Sequence, residues 1–268
     1  MKSFYFANCS DVARVAAFSL TPHSHALGQL TFIRWGLMQV ETDDAHLVVP
    51  EGRLCWMPPG MPHAARCAGE ASYWQLLMSP AYAGMLPAEV CALRVSALAL
   101  AAFDRAVRGA AGGSGLRDEG GEGSMLHSVV RHELGMAVRE PFGIPLPRAE
   151  PWRGMAHRLR DEPADRRALD DFAAIAGLSR RTFSRQFRRE TGTSFAAWRR
   201  AAAGQRSLEL LCSGKSVSDT AEALGYESVS AFTYAFRKRF GTSPLRFLGD
   251  GRSDGRSATR SPPPSTTA

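Results

Sequence analysis

Between residues 169 and 248 the apolar positions fall into one pattern written twice. Ala173 stands four residues ahead of Gly177, and beyond Leu178 and Ser179 two phenylalanines, Phe183 and Phe187, lie four apart. Ala221, Gly225, Phe232 and Phe236 repeat that spacing, with Tyr226, Glu227 and Ser228 in the turn. Each copy runs through basic residues, Arg188 and Arg189 or Arg237 to Arg239, into Gly-Thr-Ser. A pattern repeated at this fidelity marks an internal duplication. Its physical content is a pair of steeply crossing helices, a helix-turn-helix. The alanine lets one helix approach the other, the glycine takes the turn conformation, and phenylalanines at i and i+4 commit one face to a core.

The opposite face of each second helix is left free. In the first copy it carries Arg180, Arg181, Ser184, Arg185, Arg188 and Arg189, cations and a hydroxyl suited to guanine edges near the helix start and to phosphates further along. In the second it carries Val229, Ser230, Thr233 and Tyr234, suited to thymine methyls and a few hydrogen bonds, with Arg237 to Arg239 behind for backbone contacts. Paired units with such faces point to double-stranded DNA. A longer helix from Phe195 to Leu211 joins the two units.

The first half alternates differently. Residues 30–42, 46–50, 53–58, 63–68 and 72–78 read as short strands separated by turn residues, the signature of a small antiparallel barrel or sandwich. From Glu89 to about Gly109 the period turns helical, with Leu93, Ala97, Leu100, Ala101 and Val107 as its apolar stripe. Residues 109–124 are Gly-rich and read as a flexible loop. A second helix is predicted from Met125 to about Arg139, its Val129, Val130, Leu134 and Val138 facing the barrel or a partner subunit. Pro141, Pro145, Pro147 and Pro151 suggest a stiff linker. A helix from Trp152 to near Pro163 opens the helical half, and the Gly, Ser, Arg and Pro tail after Leu248 reads as disordered.

Composition narrows the reading. With 268 residues, 44% hydrophobic and 22% charged, the chain is long enough for two domains with separate cores and needs neither a fibrous nor a disordered class. Its net charge of +7 is unevenly placed: residues 151–250 hold 18 Lys and Arg against 11 Asp and Glu, so the excess lies in the duplicated half. The cysteines at 9, 55, 67, 91 and 212 are odd in number and include no C-x-x-C pair, which fits reduced thiols. Cys55 and Cys67 flank His63, as a thiolate ligand, an oxidation sensor or inert buried thiols. No leader-like segment or 18-residue apolar run occurs, so a soluble, cytoplasmic protein is expected.

Two resemblances follow from these residues. From near Pro151 to Leu248, and most closely over AEALGYESVSAFTYAFRKRFGTSP at Ala221 to Pro244, the chain resembles the AraC family of bacterial transcription regulators. That implies two reading helices in successive major grooves on one face of the DNA. Carried over by position, the base readers are Arg181, Ser184 and Arg185 in the first unit and Val229, Ser230, Thr233 and Tyr234 in the second; Arg180, Arg188 and Arg237 complete the DNA-binding set. The resemblance also adds a homodimer and RNA polymerase as candidate partners. In the first half, His23, His25, Gln29 and Gly36, followed by Gly52, Pro58, Gly60 and His63, match the two motifs of the cupin fold, with Gln29 where a glutamate is usual and Cys67 where asparagine is. The implied pocket at His23, His25, Gln29 and His63 takes either a divalent metal or a metal-free effector, or is vestigial. A neutral Gln is a poor substitute for the carboxylate of a metal set.

The expected fold is therefore α+β, a cupin-like β-barrel followed by an all-α double helix-turn-helix. Its predicted parts are a sensor at 1–140, a Pro-rich linker at 141–151, the DNA-binding domain at 152–248 and a tail at 249–268. The expected function is sequence-specific transcription regulation without enzymatic activity, in response to a small molecule or metal. The alternative is a metal-dependent cupin enzyme fused to a DNA-binding domain. Within the joining helix, Ala203 and Gly204 stand where the resembled family has Arg-Leu. A mid-helix Gly costs about 0.5 to 1 kcal/mol against Ala, so Leu at 204 is expected to stabilise the helix.

Overall fold

The computed structural model describes residues 6–110 and 122–255. The chain runs through β1 (Phe6–Val15), β2 (Phe18–His23), β3 (Gly28–Trp35), β4 (Leu37–Glu41), β5 (Ala45–Pro50), β6 (Arg53–Met57), β7 (His63–Cys67) and β8 (Ala71–Met78). After α1 (Pro80–Ala83) come β9 (Cys91–Arg94), α2 (Ala97–Ala110), α3 (Glu122–Gly135), β10 (Val138–Glu140) and β11 (Gly143–Pro145). Among the described residues these strands form one sheet in the order β1-β8-β3-β6-β9-β10 and a second in the order β11-β5-β4-β7-β2. Alternate side chains of the first sheet serve two cores, as the two-residue strand period requires. Leu30, Leu54, Trp56 and Trp74 face Phe103 and Val130 of α2 and α3. Ile33, Cys55 and Met57 face Met38, Val40, Leu47 and Val49 of the second sheet.

Several boundaries differ from the sequence reading. Leu93 belongs to β9, opposite Leu54 of β6, and not to a helix. The buried stripe of α2 is Ala99, Ala102, Phe103, Ala106 and Val107, leaving Ala101 exposed. On α3, Val130 and Leu134 are buried against the barrel side, while Val138 falls in β10 and is exposed. Of the predicted loop at 109–124, residues 111–121 lie outside the described residues. The stretch read as a linker begins inside the barrel: β10 pairs with β9 and β11 with β5, so Pro145 lies in a strand at the edge of the second sheet. Phe142, between them, is buried, which gives this turn an apolar anchor that a solvated linker lacks.

The helical half comprises α4 (Trp152–Asp161), α5 (Leu169–Ile175), α6 (Arg180–Thr191), α7 (Phe195–Cys212), α8 (Val217–Ala223), α9 (Val229–Phe240) and α10 (Pro244–Gly255). The last of these replaces the start of the expected disordered tail with helix; residues 256–268 lie outside the described residues. The first unit closes around Trp152, Phe172, Phe183, Phe187, Phe195 and Trp198, with Ile144 and Leu146 of the barrel hairpin packed among them. The second unit does not have a core of its own. Leu208, Leu211, Phe232 and Phe236 are continuous with the barrel interior, so the expectation of separate cores fails.

That continuity is made by α7 lying against β5 and β11. Gln205 is completely buried. Its Nε2 donates to the carbonyls of His46, at 2.8 Å, and Phe142, at 2.7 Å. Its Oε1 accepts from Nδ1 of buried His46 at 3.0 Å. Trp198 Nε1 donates to the Pro145 carbonyl at 2.6 Å. At the end of β4, Glu41 accepts from Arg153 and Arg160 of α4, each at 3.2 Å, with His157 Nε2 at 3.7 Å. Lower on the seam Phe142 packs on Phe240, ring centroids 5.6 Å apart, and Arg239 Nη2 donates to the Pro141 carbonyl at 2.7 Å. Gly204 is what allows this last contact, because a Cβ there would fall 2.5 Å from Cδ and 2.7 Å from Nε of Arg239.

Two expectations follow. Burial, reinforced by Arg160, pulls the His46 imidazole down to about 3, so it is neutral in the fold. The unfolded imidazole takes up its proton near pH 6.5, and a group that binds more protons unfolded than folded costs stability as pH falls. At about 1.4 kcal/mol per pH unit, urea titrations should show a loss of about 2 to 3 kcal/mol between pH 6.5 and 4.5 that His46→Asn largely removes; an unaltered acid limb in that variant would rule out the buried imidazole as its source. At position 204 the sign of the earlier expectation reverses. Gly204→Leu should destabilise the whole chain by about 1 to 3 kcal/mol through overpacking, read as a lower Tm, and a raised Tm would restore the propensity argument.

Candidate DNA interface and effector pocket

Both helix-turn-helix units are built by the same local bonds. In the first, Leu178 N–H donates to the Ala173 carbonyl at 2.9 Å; in the second, Tyr226 N–H donates to the Ala221 carbonyl at 3.0 Å. Gly177 and Gly225 sit at φ of 66° and 74°, the left-handed region where a side chain is strained. Ala173 and Ala221 are both buried, as small residues between two closely crossing helices should be. Each second helix starts on a serine cap, Ser179 Oγ accepting from Thr182 N–H at 3.3 Å and Ser228 Oγ from Ala231 N–H at 3.1 Å. Each ends on a left-handed glycine, Gly192 or Gly241. Caps at both ends satisfy backbone groups that a short helix otherwise leaves open.

With Phe183, Phe187, Phe232 and Phe236 buried, the opposite faces are displayed. Arg180, Arg181, Arg185 and Arg188 are exposed and Ser184 half-buried on α6; Val229, Ser230, Tyr234 and Arg237 are exposed and Thr233 half-buried on α9. These ten residues are therefore at least partly accessible. Arg180 is engaged, Nη1 donating to Asp170 at 2.8 Å, whereas Arg181, Arg185 and Arg188 have no ion-pair partner among the described residues. Arg239 departs from its expected role behind α9. It turns inward to Pro141, and burial without an acidic partner lowers its pKa to about 10. From there it is committed to the barrel turn and not to the free face of α9.

At the barrel, the histidines do converge. His23 ends β2, opposite His63 at the start of β7, and their ring centroids are 4.4 Å apart; His25 lies 5.1 Å from His63 and 6.3 Å from His23. Each Nδ1–H donates to a nearby carbonyl: His23 to Thr21 at 2.9 Å, His25 to Leu27 at 2.7 Å, His63 to Met61 at 2.9 Å. The shared pattern fixes one tautomer and leaves the Nε2 lone pairs as acceptors. The Nε2 of His25 is buried without a partner among the described residues. Burial, then the neighbouring His23 and His25, holds His63 below its ordinary value, against the bond to Met61.

Gln29 does not join them. Its Nε2 donates to Thr31 Oγ1 along β3 at 3.1 Å. Among the described residues no group of three or more His, Cys, Asp or Glu is arranged to hold a metal ion. The thiols are no substitute, since burial pushes Cys55 up strongly and Cys67 to about 11. Sequence reasoning missed His46, Gln205 and Glu41, which join the halves. A signal existed for Gln205: it interrupts the apolar stripe Trp198, Ala202, Leu208 at a buried register.

Comparison with known proteins agrees with this construction. Residues 12–111 match the model of the AraC-like ligand binding domain and residues 172–249 that of a helix-turn-helix domain. The HTH-type transcriptional regulator NimR of Escherichia coli is 27% identical over 230 residues, covering 84% of this chain and 81% of that protein. The HTH-type transcriptional regulator RipA of Corynebacterium glutamicum is 40% identical over 103 residues, 38% of this chain and 31% of that one. Among solved structures, the DNA-binding domain of AdpA in complex with a target DNA is 27% identical, with a TM-score of 0.38, over 41% of this chain and all of that one. No helix among the described residues is long and apolar enough to cross a membrane. With a ligand-binding barrel ahead of two capped helix-turn-helix units, the chain belongs to the AraC family of transcription regulators.

Proposed function

We propose that α6 and α9 are the two reading helices of a sequence-specific regulator and that the barrel takes a small, hydrogen-bond-donating effector against His23, His25 and His63. The observation that carries the first part is the matched display of two free faces from two identically closed turns. Arg181 and Arg185 stand one turn apart and suit guanine; Val229 and Tyr234 suit apolar contact with thymine methyls. Arg188 and Arg237, further along each helix, suit phosphates. The second part is supported by three imidazole acceptors facing one another with Nδ1 already committed. Gln29, bonded to Thr31, weakens the metal-enzyme alternative, and a metal-free sensor fits the donor set better.

The DNA assignment is tested by binding titrations over a salt series on operators randomised one half at a time. Arg185→Ala should weaken binding and relax one base pair of one half-site, by about 1 to 3 kcal/mol of discrimination. Tyr234→Ala should alter preference in the other half with an unchanged salt slope, while Arg237→Ala should flatten the slope by about one unit on all sequences alike. Unchanged base preference in both Arg185→Ala and Tyr234→Ala would remove these helices from the grooves. For the barrel, a thermal-shift screen of small molecules should yield ligands that stabilise the chain by about 2.7 kcal/mol at 100 times their Kd. His63→Ala and His25→Ala should lose that stabilisation and keep DNA affinity; ligands that bind both variants unchanged place the effector elsewhere.

A further inference from the structure

The described residues hold a concavity far in sequence from the barrel histidines. It is a cleft of about 560 Å³ between α7 and α9, closed at one side by Pro141, within the size range of small-molecule sites. Its floor and wall are aromatic, with Tyr226, Phe236 and Tyr234 among them, and Arg200, Lys238 and Arg239 line it without any acidic residue. None of these three cations has an ion-pair partner among the described residues. Arg239 is the informative one. Its Nη2 is held by the Pro141 carbonyl, and its Nε is buried with no partner. The guanidinium is half-buried and meets carbonyls, Pro141 and at 3.5 Å Gly143, but no acidic residue, and charge partly taken from water is offset best by an opposite charge.

We propose that this cleft binds an amphipathic organic anion, its acidic group on Arg239 with Arg200 and Lys238 at the rim, and its apolar body on Tyr226 and Phe236. Such a ligand supplies the counter-charge that no acidic residue of the cleft provides and covers the aromatic wall in one step. A DNA phosphate offers the charge but no apolar body, so duplex DNA fits the cleft less well. Arg239 also bridges to the barrel turn at Pro141, and Tyr234 belongs to both the cleft and the free face of α9. Occupancy of the cleft and reading by α9 are therefore coupled, a consequence that rests on the DNA assignment above; the binding itself does not.

The test uses the full chain without DNA. The probes are 8-anilinonaphthalene-1-sulfonate, an aromatic anion that fluoresces in apolar sites, and N-phenyl-1-naphthylamine, the same skeleton without the sulfonate. The anion should saturate at one site per chain and bind at least tenfold more tightly than the neutral compound. Arg239→Met should weaken it about tenfold, the scale of one charge-assisted hydrogen bond. Arg200→Met and Lys238→Met, exposed positions that leave the seam intact, should each weaken it about threefold, and His63→Ala should leave it unchanged. Absence of a saturable site, equal affinity for the two probes, indifference to all three cation variants, or loss in His63→Ala would each overturn the proposal. None of these outcomes depends on whether α9 reads DNA.

Discussion

A carboxamide with no exposure to solvent, Gln205, holds the two halves of this molecule in register. A buried amide carries two donors and an acceptor that are costly to leave unmade, and here they are met by the carbonyls of His46 and Phe142 and by the His46 imidazole. Those partners come from β5 and from the turn between β10 and β11. The joining helix can therefore dock in one translation and one rotation, where an apolar contact of the same area would tolerate sliding. The other seam contacts, Trp198 to Pro145, Glu41 to the arginines of α4, and Arg239 to Pro141, are compatible with that single placement.

The placement also sets which parts of the barrel each helix-turn-helix unit packs against. β7 carries His63 and Ala65, β4 pairs with β7, and β5 pairs with β4 and supplies His46 to Gln205. The path from the histidine cluster to the joining helix thus crosses three hydrogen-bonded strands of one sheet. The second helix-turn-helix unit shares its core with that barrel, whereas the first has its own cluster and takes only Ile144 and Leu146 from the hairpin. The second sheet thus shares a continuous core with the unit that carries α9 and meets the unit that carries α6 through Ile144, Leu146 and the Glu41 ion pairs. This asymmetry matches the chemical asymmetry of the two faces, cationic on α6 and largely uncharged on α9.

Much of the fold was legible before the structure. The Ala, Gly and paired Phe spacing foretold both helix-turn-helix units, because helix crossing and tight turning are local demands met within about fifteen residues. The strands from β3 to β8 were legible as well, since turn residues punctuate them and the resemblance to the cupin motifs brought the three histidines together. The converging rings of His23, His25 and His63 follow from strand ends at one edge. What spacing could not say is that Gln29 bonds along its own strand to Thr31.

The sequence alone determined which faces of the paired helices were apolar, where their turns fell and which face was left exposed, since each of these depends on neighbours within one or two helical turns or strand steps. Tertiary structure decided what covers those faces. Leu93 has a helical spacing to Ala97 but becomes β9 because an open edge of β6 is available to it. A proline-rich stretch becomes β11 because β5 offers it a partner. Gly204 seemed a flaw in a helix until Arg239 was found lying across it, and Arg239 seemed a phosphate contact until it was found facing inward. In each case the deciding partner is tens of residues away or more, and a polar or small residue at a long-range seam has the same local signature as one on the surface.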